Sequence, residues 1–392
     1  MPTVSAIHWT LRRRSWPVEG FGSRRASLSR SISLGGSAHV ERPQRPAGLV
    51  QCFPGLSPAV ESRDRTGNAL SSNPFPVRLG AIDAGSNAIR FIVADFSSPT
   101  SYEIASKIRL PIRLGHLVFT EGGLDAETME AATGAFRFFR RGLDELEVTR
   151  FRAVATSATR EASNRDRFLA AIQRASGIEL VPISGEDEAR YVHRAVRSRL
   201  DLSQGRWILV DLGGGSVEVS LVDDTGILWS QSYPVGTVRL LETMERSGGH
   251  HDSVRRWVQE RVRHLTIPSP SAYPGPTSFA ATGGNIEAIA ELGLSYTSPG
   301  RAASLPMEHL ESVIRLLSTM TIEERIRHLE LRPDRADVIL PAALVYQFFA
   351  DHTGVDSIAV PNVGVKDGVL LELAEEWADA GTAQPSPTSS AT

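Results

Sequence analysis

An α/β protein built from two similar halves is the fold class that the sequence predicts. Two observations support this prediction. Segments with strand-like and helix-like apolar spacing alternate from residue 79 onwards, and the same strand–turn–strand pattern opens both halves. Residues 81–95 read AIDAGSNAIRFIVAD, and residues 209–222 read LVDLGGGSVEVSLV. Each segment contains an apolar strand, an aspartate, a turn of glycine and serine, and a second strand.

The first half is predicted to begin with three strands and to continue with alternating helices and strands. Residues 107–114 (KIRLPIRL) alternate in polarity as a strand does, and Phe136, Phe139 and Leu143 recur at helical spacing. The predicted strands are 79–85, 88–96, 101–110, 151–156 and 178–182, and the predicted helices are 125–147, 162–176 and 185–199.

The second half restarts the pattern after Gly205. Its predicted strands are 206–212, 215–222, 226–235, 277–281 and 356–360, and its predicted helices are 237–247, 252–264, 283–292, 307–318 and 335–351. We expect one domain over 79–203 and a second over 204–378, with the last helix able to pack back on the first domain.

Both ends of the chain differ from this body. Residues 1–78 are rich in arginine, serine, proline and glycine and lack periodicity, so they are expected to be a disordered extension or a start assigned too far upstream. An arginine- and serine-rich composition also resembles an organellar transit peptide. The composition of residues 379–392 predicts a disordered tail.

Composition restricts the function. Eleven arginines against four acidic residues give residues 1–78 a charge of +7, which leaves −10 for the rest of a chain whose total is −3. An acidic body disfavours binding of DNA or RNA through bulk charge. Cys52 is the single cysteine, which fits a cytoplasmic protein and excludes a thiol nucleophile in the folded part. No apolar stretch approaches the roughly 18 residues of a membrane-spanning helix.

The two repeated hairpins suit a metal-bound phosphate. Glycine-rich turns expose backbone N–H groups, and the side chains of serine and asparagine add donors. The predicted phosphate-binding residues of the hairpins are Gly85, Ser86, Asn87, Gly213, Gly214, Gly215 and Ser216. Asp83 and Asp211 would repel phosphate, so their expected partner is Mg²⁺ or Mn²⁺. Two ordinary hairpins without a ligand are the alternative reading.

A third glycine turn follows a predicted strand. Thr282, Gly283 and Gly284 precede a helix start, whose N–H groups could bind a further anion. Together with the two hairpins, this turn resembles the phosphate loops of the actin-like ATPase superfamily. The resemblance implies two actin-like, ribonuclease H-like domains with a cleft between them.

Within that superfamily the chain resembles the exopolyphosphatase/guanosine pentaphosphatase (Ppx/GppA) family. The matching segments are 83–87 (DAGSN), 155–162 (ATSATREA), 183–190 (ISGEDEAR), 211–218 (DLGGGSVE), 335–337 (RAD) and 364–368 (GVKDG). They keep the family's order over 79–378. The family's long members carry a further HD-like helical domain, which this sequence is not expected to have. Lys366 stands where the family more often has arginine, which puts the affinity for phosphate chains in question.

The resemblance assigns roles to individual residues. Glu188 corresponds to the catalytic glutamate, the general base that takes a proton from the attacking water, whereas the residues alone would not distinguish it from Glu186 and Asp187. Arg160 corresponds to an arginine that faces the phosphates. Asp211 and Glu218 match the acids of the second hairpin and, with Asp83, are the expected metal ligands, although Glu218 lies within a strand and could face solvent instead.

The implied activity is Mg²⁺-dependent hydrolysis of phosphoanhydride bonds. The substrate would be inorganic polyphosphate, or the alarmone pppGpp, which would be converted to ppGpp. The resemblance also implies a homodimer. Two other classes remain open, namely a non-catalytic polyphosphate or alarmone sensor that uses the same cleft, and an actin-like kinase. The presence of Glu188 favours the hydrolase, because a binding protein has no need of a general base.

Overall fold

A computed structural model of the protein describes residues 74–248, 253–268, 277–293 and 303–382. The first half comprises strands β1 (Val77–Ala84), β2 (Ile89–Ser98), β3 (Ser101–Leu110), β4 (Arg150–Ala155) and β5 (Leu180–Pro182). Its helices are α1 (Val118–Glu121), α2 (Ala126–Glu145), α3 (Ser157–Glu161), α4 (Arg165–Ser176) and α5 (Gly185–Arg197).

The second half has six described strands and eight described helices. The strands are β6 (Arg206–Leu212), β7 (Val217–Asp223), β8 (Gly226–Tyr233), β9 (Thr277–Thr282), β10 (Ala303–Pro306) and β11 (Ser357–Val360). The helices are α6 (Thr237–Arg246), α7 (Val254–Val262), α8 (Gly284–Gly293), α9 (Met307–Ser318), α10 (Ile322–His328), α11 (Pro333–Ala336), α12 (Ile339–Thr353) and α13 (Val365–Thr382).

The two sheets share one topology. The first has the strand order β3-β2-β1-β4-β5, and the second has β10-β11-β9-β6-β7-β8. In each, an antiparallel meander of three strands is followed by two strands parallel to the first one, so β1 corresponds to β6 and β4 to β9, and the second sheet adds β10 antiparallel to β11 at its edge. The predicted α/β fold with two similar halves is confirmed.

Two helices lie between the sheets. Helices α5 and α13 share a hydrophobic core with Leu79 of β1 and with Leu209 and Val222 of the second sheet. They cross closely at Gly368, where a Cβ would collide with the backbone of Tyr191. Helix α13 therefore packs on strands of the first half, and α5 packs on β7 and β8 of the second half.

Several elements differ from the sequence prediction. Helices α1, α3, α10 and α11 are too short to show a helical period, and α13 is buried on several sides, which obscures its apolar face. Strand β10 was also not predicted. Disorder was expected over residues 1–78, but residues 77–78 belong to β1. Disorder was also expected over residues 379–392, but residues 379–382 belong to α13. Residues 1–73, including Cys52, and residues 383–392 lie outside the described residues.

Candidate functional site

The two predicted hairpins meet in one cavity. Strands β1 and β6 end at the same edge of their sheets as the parallel strands β4 and β9, the edge where α/β sheets bind ligands. The turns are closed in the same way, by Gly85 N–H donating to the Ala88 carbonyl (3.1 Å) and Gly213 N–H donating to the Ser216 carbonyl (3.0 Å). Both turns line a cavity of about 740 Å³.

The hairpins pack directly against each other. A Cβ at Gly214 would lie 2.9 Å from Ser86 Cβ and 3.1 Å from Asn87 N, so only glycine permits this approach. The carbonyl of Gly214 accepts the backbone N–H groups of Val238 and Arg239 at the start of α6. Within the described ranges, no protein acceptor bonds the backbone N–H groups of Ser86, Asn87, Gly214 or Gly215. Ser86, Asn87 and Gly214 line the cavity, so their N–H groups are available to a ligand there.

The hairpin side chains are held by protein groups. Ser86 Oγ lies 3.0 Å from Ser157 Oγ and accepts Ala158 N–H at the start of α3 (3.2 Å). Asn87 donates through Nδ2 to the Asp334 carbonyl (2.9 Å), and its Oδ1 accepts from Arg113 (2.9 Å). Of the predicted phosphate-binding residues, Gly85, Ser86, Asn87, Gly213, Gly214, Gly283 and Gly284 line the cavity, and Gly215, Ser216 and Thr282 do not.

The third predicted turn reaches the cavity through its glycines. Gly283 has φ of +105°, a conformation that only glycine adopts readily, and Gly284 begins α8. The hydroxyl of Thr282 is turned away from the cavity and donates to Asp211 Oδ1 (2.6 Å). Thr282 thus contacts a carboxylate instead of the space where a phosphate would lie.

Four polar residues form a row across the second sheet. Thr282 on β9 is paired with Asp211 on β6, Asp211 with Glu218 on β7, and Glu218 with Ser232 on β8. Cross-strand partners point to the same face. The hydroxyl of Ser232 donates to Glu218 Oε1 (2.8 Å), while Glu218 Oε2 is buried with no hydrogen-bond partner among the described residues.

The equivalent row in the first sheet is basic. Val154, Asp83, Arg90 and Arg109 are paired in turn on β4, β1, β2 and β3. Arg90 Nη1 lies 3.2 Å from Asp83 Oδ2. The repeated hairpins therefore keep the aspartate in both halves, while the position of Glu218 is taken by an arginine in the first half.

Glu188 is positioned by the start of α5. Ser184 is the N-cap, and it forms a capping box with Asp187. Glu188 is only 4% exposed, and its Oε1 accepts a hydrogen bond from Arg160 Nη1 (2.7 Å). The same nitrogen of Arg160 donates to the Ile183 carbonyl (2.6 Å). Glu188 lines the cavity and Arg160 does not, so Arg160 contacts the predicted base and not the cavity.

Burial of several carboxylates in one place shifts their ionisation. The pKa of Glu188 is well above its ordinary value because of burial and then the charge of Glu218, against the opposing effect of Arg160. Burial and the charge of Asp211 raise the pKa of Glu218 to about 7. Burial, and to a lesser extent Asp83, raise the pKa of Asp211, against the hydrogen bond from Thr282. The site therefore favours a bound cation or a shared proton.

The sequence prediction missed most of the cavity's cations. Arg90, Lys107, Arg109, Arg332, Arg335 and Lys366 line it. Lys366 Nζ is buried and donates to Asp367 Oδ2 (2.6 Å). Burial lowers the pKa of Arg109 and of Arg335. The strand register of the first hairpin could have indicated Arg90 as a cavity residue, because it places Arg90 opposite Asp83. The register of the next strand then places Arg109 opposite Arg90. Arg335 belongs to the family-like segment 335–337, to which no role was assigned, and no comparable signal was available for Arg332, which joins the cavity through tertiary packing.

The fit of a divalent cation can be judged from the carboxylates. Among the described residues, no three His, Cys, Asp or Glu side chains converge on a common point. Mg²⁺ commonly takes only one or two carboxylates and completes its shell with phosphate oxygens and water. Asp211 and Glu218 fit such a site, because they are neighbours in the row and Glu218 Oε2 has no hydrogen-bond partner among the described residues; Asp211 lines the cavity, and Glu218 is buried beside it without lining the cavity itself. Asp83 faces the same cavity but is paired with Arg90.

Comparison with known proteins agrees with the fold. The exopolyphosphatase of Cytophaga hutchinsonii superposes with a TM-score of 0.68 at 22% identity, covering 76% of this chain and 98% of that chain. A Ppx/GppA family member of Aquifex aeolicus superposes with a TM-score of 0.62 at 24% identity, and it too covers 76% of this chain and 98% of its own. The protein thus has the actin-like two-domain fold, with the cavity lying between paired hairpins.

The sequence comparisons identify the family. The model of the Ppx/GppA phosphatase family matches residues 93–376. Exopolyphosphatase 2 of Mycobacterium tuberculosis is 30% identical over 320 residues, which cover 76% of this chain and 98% of that protein. This chain belongs to the Ppx/GppA phosphatase family, as its motifs indicated. No helix among the described segments has the length and hydrophobicity needed to cross a membrane.

Proposed function

We propose that this protein is an exopolyphosphatase that hydrolyses the terminal phosphoanhydride bond of inorganic polyphosphate and releases orthophosphate. The observation that carries the proposal is the buried carboxylate of Glu188 in a cavity lined by free hairpin N–H groups. Similar relatives named exopolyphosphatase support the choice of substrate. A chain of phosphates also matches the six cationic side chains of the cavity.

The chemistry follows from this arrangement. A water oxygen attacks the terminal phosphorus, the bond from that phosphorus to the bridging oxygen breaks, and the shortened chain leaves with the electron pair. Glu188 accepts the proton that the water loses, and burial and the charge of Glu218 raise its pKa, which makes its carboxylate a stronger base. The hairpin N–H groups and the cavity's cations orient the chain and offset the charge of the phosphoryl group in transfer.

A divalent cation is part of the proposal. Asp211 and Glu218 would hold Mg²⁺ or Mn²⁺, with Asp83 nearby, and a bound cation would supply charge neutralisation for the phosphate oxygens. The row geometry supports Asp211 and Glu218 as its ligands, because their carboxylates are paired across β6 and β7. In this proposal Arg160 acts on Glu188, to which it is bonded, and not on the phosphates.

A second substrate, pppGpp, is proposed because the cavity also has apolar lining residues. These include Ile108, Leu292, Leu329 and Leu331. Inorganic polyphosphate would leave these side chains without a contact, whereas a nucleoside base could pack on them.

The family also supports two further proposals, a homodimer and a cytoplasmic location. Size-exclusion chromatography with light scattering would test the homodimer, and cell fractionation would test the location.

The test is phosphate release from medium-chain polyphosphate and from pppGpp with Mg²⁺, by the wild-type protein and by Glu188→Gln. We expect release by the wild type and a loss of about 10²–10⁴-fold in kcat for the variant. Glu186→Gln is the matched control, since Glu186 is exposed on the same helical turn. Tight binding without turnover by the wild type would favour a sensor, and release unaffected by Glu188→Gln would refute Glu188 as the base.

A further inference from the structure

The outer members of the row Thr282–Asp211–Glu218–Ser232 are both hydroxyl groups. Each donates to the carboxylate beside it, Thr282 Oγ1 to Asp211 Oδ1 (2.6 Å) and Ser232 Oγ to Glu218 Oε1 (2.8 Å). The hydroxyls therefore engage one oxygen of each carboxylate, and among the described residues Glu218 Oε2 has no hydrogen-bond partner within bonding distance, although the nearby Ser216 side chain lowers the pKa of Glu218 as Ser232 does. Thr282 lies in a glycine-rich turn that the sequence already singles out, whereas Ser232 lies in β8, outside every motif considered above.

The free oxygen of Glu218 needs a ligand. Glu218 is 2% exposed, and its Oε2 has no hydrogen-bond partner among the described residues. A buried carboxylate oxygen without a donor or a cation is costly, and such atoms are rare in folded proteins. Its neighbour in the row is Asp211, whose carboxylate lines the cavity. A cation that binds both carboxylates would satisfy the oxygen.

The surroundings of Ser232 restrict its side chain. Helix α5 begins against it, because a Cβ at Gly185 would lie 2.5 Å from Ser232 Cβ and 2.8 Å from Ser232 Oγ. The same hypothetical Cβ would lie 3.8 Å from Glu218 Oε1. Ser232 therefore lies between the carboxylate that it bonds and the helix that carries Glu188. Packing of this kind fixes a side chain in one rotamer.

We propose that Ser232 is a positioning residue of the cation site: its hydroxyl engages Oε1 of Glu218 and so presents Oε2 to a divalent cation shared with Asp211. Hydrogen-bond partners of metal ligands commonly set the orientation and affinity of the site. The inference rests on the proposed function for the presence of the cation. It adds a residue from the edge strand β8, which touches neither the substrate nor the cation.

The experiment compares Ser232→Ala with Ser230→Ala. Ser230 lies two residues earlier on β8, and its hydroxyl is 3.0 Å from Ser220 Oγ, so this control removes a hydroxyl on the same face without touching a carboxylate. Binding of Mn²⁺ to the substrate-free protein is measured by electron paramagnetic resonance. The kcat and KM for polyphosphate are measured at saturating Mg²⁺, and thermal unfolding shows that each variant is folded.

We expect Ser232→Ala to raise the Kd of Mn²⁺ by about 10- to 100-fold and to lower kcat, with KM for polyphosphate unchanged. Ser230→Ala should leave both values as in the wild type. The inference is overturned if Ser232→Ala binds Mn²⁺ like the wild type, if Ser230→Ala shows the same loss, or if the wild type binds no Mn²⁺. Should the wild type release no phosphate while Ser232→Ala still weakens Mn²⁺ binding, the proposed function fails and the positioning role stands.

Discussion

Arg160 donates through Nη1 to Glu188 Oε1 over 2.7 Å, and the same nitrogen donates to the carbonyl of Ile183, the residue two before α5 begins. The guanidinium is thus tied both to the carboxylate and to the backbone leading into its helix. In the proposed mechanism Arg160 acts on catalysis through Glu188, the side chain that it bonds. The positive charge of Arg160 stabilises the ionised form of Glu188, the proposed base.

Replacing Arg160 by glutamine should shift the pH dependence of the rate. Arg160 lowers the pKa of Glu188, which burial and Glu218 raise, so removing its charge raises that pKa further. A general base works only when ionised, and the acid limb of kcat/KM should therefore move to higher pH. A hydrogen bond to a charged group is worth about 1.5–3 kcal/mol, so kcat/KM at neutral pH should fall roughly 10- to 100-fold.

The control for this variant is Arg165→Gln. Arg165 is half exposed, its guanidinium lies 3.5 Å from Asp166, and it donates to the backbone carbonyl of Arg160 (3.3 Å) rather than to Glu188. Its rate profile should coincide with that of the wild type. An unchanged acid limb in Arg160→Gln would show that the ionisation limiting the rate belongs to a group other than Glu188.

The sequence was sufficient to predict the hairpins but not their partners. Glycine turns after apolar strands are local patterns, and their repetition identified Asp83 and Asp211 with the correct strand ends. The roles of Arg90 and Ser232 depend on strand register, and that of Arg335 on where α11 packs. Thr282 illustrates the limit most clearly, because its neighbours suggested phosphate binding and its pairing with β6 turns its hydroxyl to Asp211. Contacts between distant segments have no local pattern.

A methyl group at Gly185 should disturb the site through packing. The Cβ of Gly185→Ala would lie 2.5 Å from Ser232 Cβ, so α5 has to move away from β8. Overpacking of this kind typically costs about 1–3 kcal/mol in the free energy of unfolding. Because α5 carries Glu188, kcat for polyphosphate should also fall. Urea unfolding and steady-state kinetics measure the two effects.

Gly134→Ala is the matched control for this change. Gly134 lies within α2, and a Cβ there meets no atom within 4 Å. The substitution should raise the free energy of unfolding by about 0.5–1 kcal/mol, since alanine favours the helix over glycine. Wild-type stability and kcat in Gly185→Ala would mean that α5 and β8 are not in fixed contact.

The capping box of α5 should make stability depend on pH. The hydrogen bond from Ser184 is the main cause that holds the pKa of Asp187 below its ordinary value. A carboxyl group whose pKa is lowered by folding stabilises the protein at pH values above its pKa in the unfolded chain, which is 3.8 for Asp187. This stabilisation is lost as the pH falls through the lower pKa of the folded protein. Asp187→Asn should therefore reduce the free energy of unfolding by about 0.5–2 kcal/mol at neutral pH, with a shrinking difference in acid.

Urea unfolding at several pH values measures this difference. Glu186→Gln serves as the comparison, because Glu186 is the exposed neighbour of Asp187 and takes no part in the capping box. Its variant should differ from the wild type by only a few tenths of a kcal/mol. A deficit of Asp187→Asn that stayed constant down to pH 3.8 and below would argue against an ionised cap.

Arg113 joins the two halves beside the first hairpin. It donates to both oxygens of Asp337 (2.8 and 3.1 Å), to the Asp334 carbonyl (3.3 Å) and to Asn87 Oδ1 (2.9 Å). One guanidinium thus connects the first phosphate hairpin with the segment around α11. Both members of the Arg113–Asp337 pair are largely buried, which makes the bond less screened than a surface ion pair.

Arg113→Ala should therefore loosen the first hairpin as well as the contact between the halves. We expect a loss of about 1–3 kcal/mol in the free energy of unfolding, the range for hydrogen bonds to charged groups. KM for polyphosphate should rise more than kcat falls, because Asn87 loses the donor that holds its side chain while Glu188 is untouched. Faster amide exchange of Gly85, whose N–H closes the turn on the Ala88 carbonyl, would report the loosening directly. Arg315→Ala, which breaks an exposed helical pair with Glu311, should cost only about 0.3–0.5 kcal/mol and leave KM unchanged. Equal KM values in Arg113→Ala and the wild type would show that the hairpin keeps its conformation without this contact.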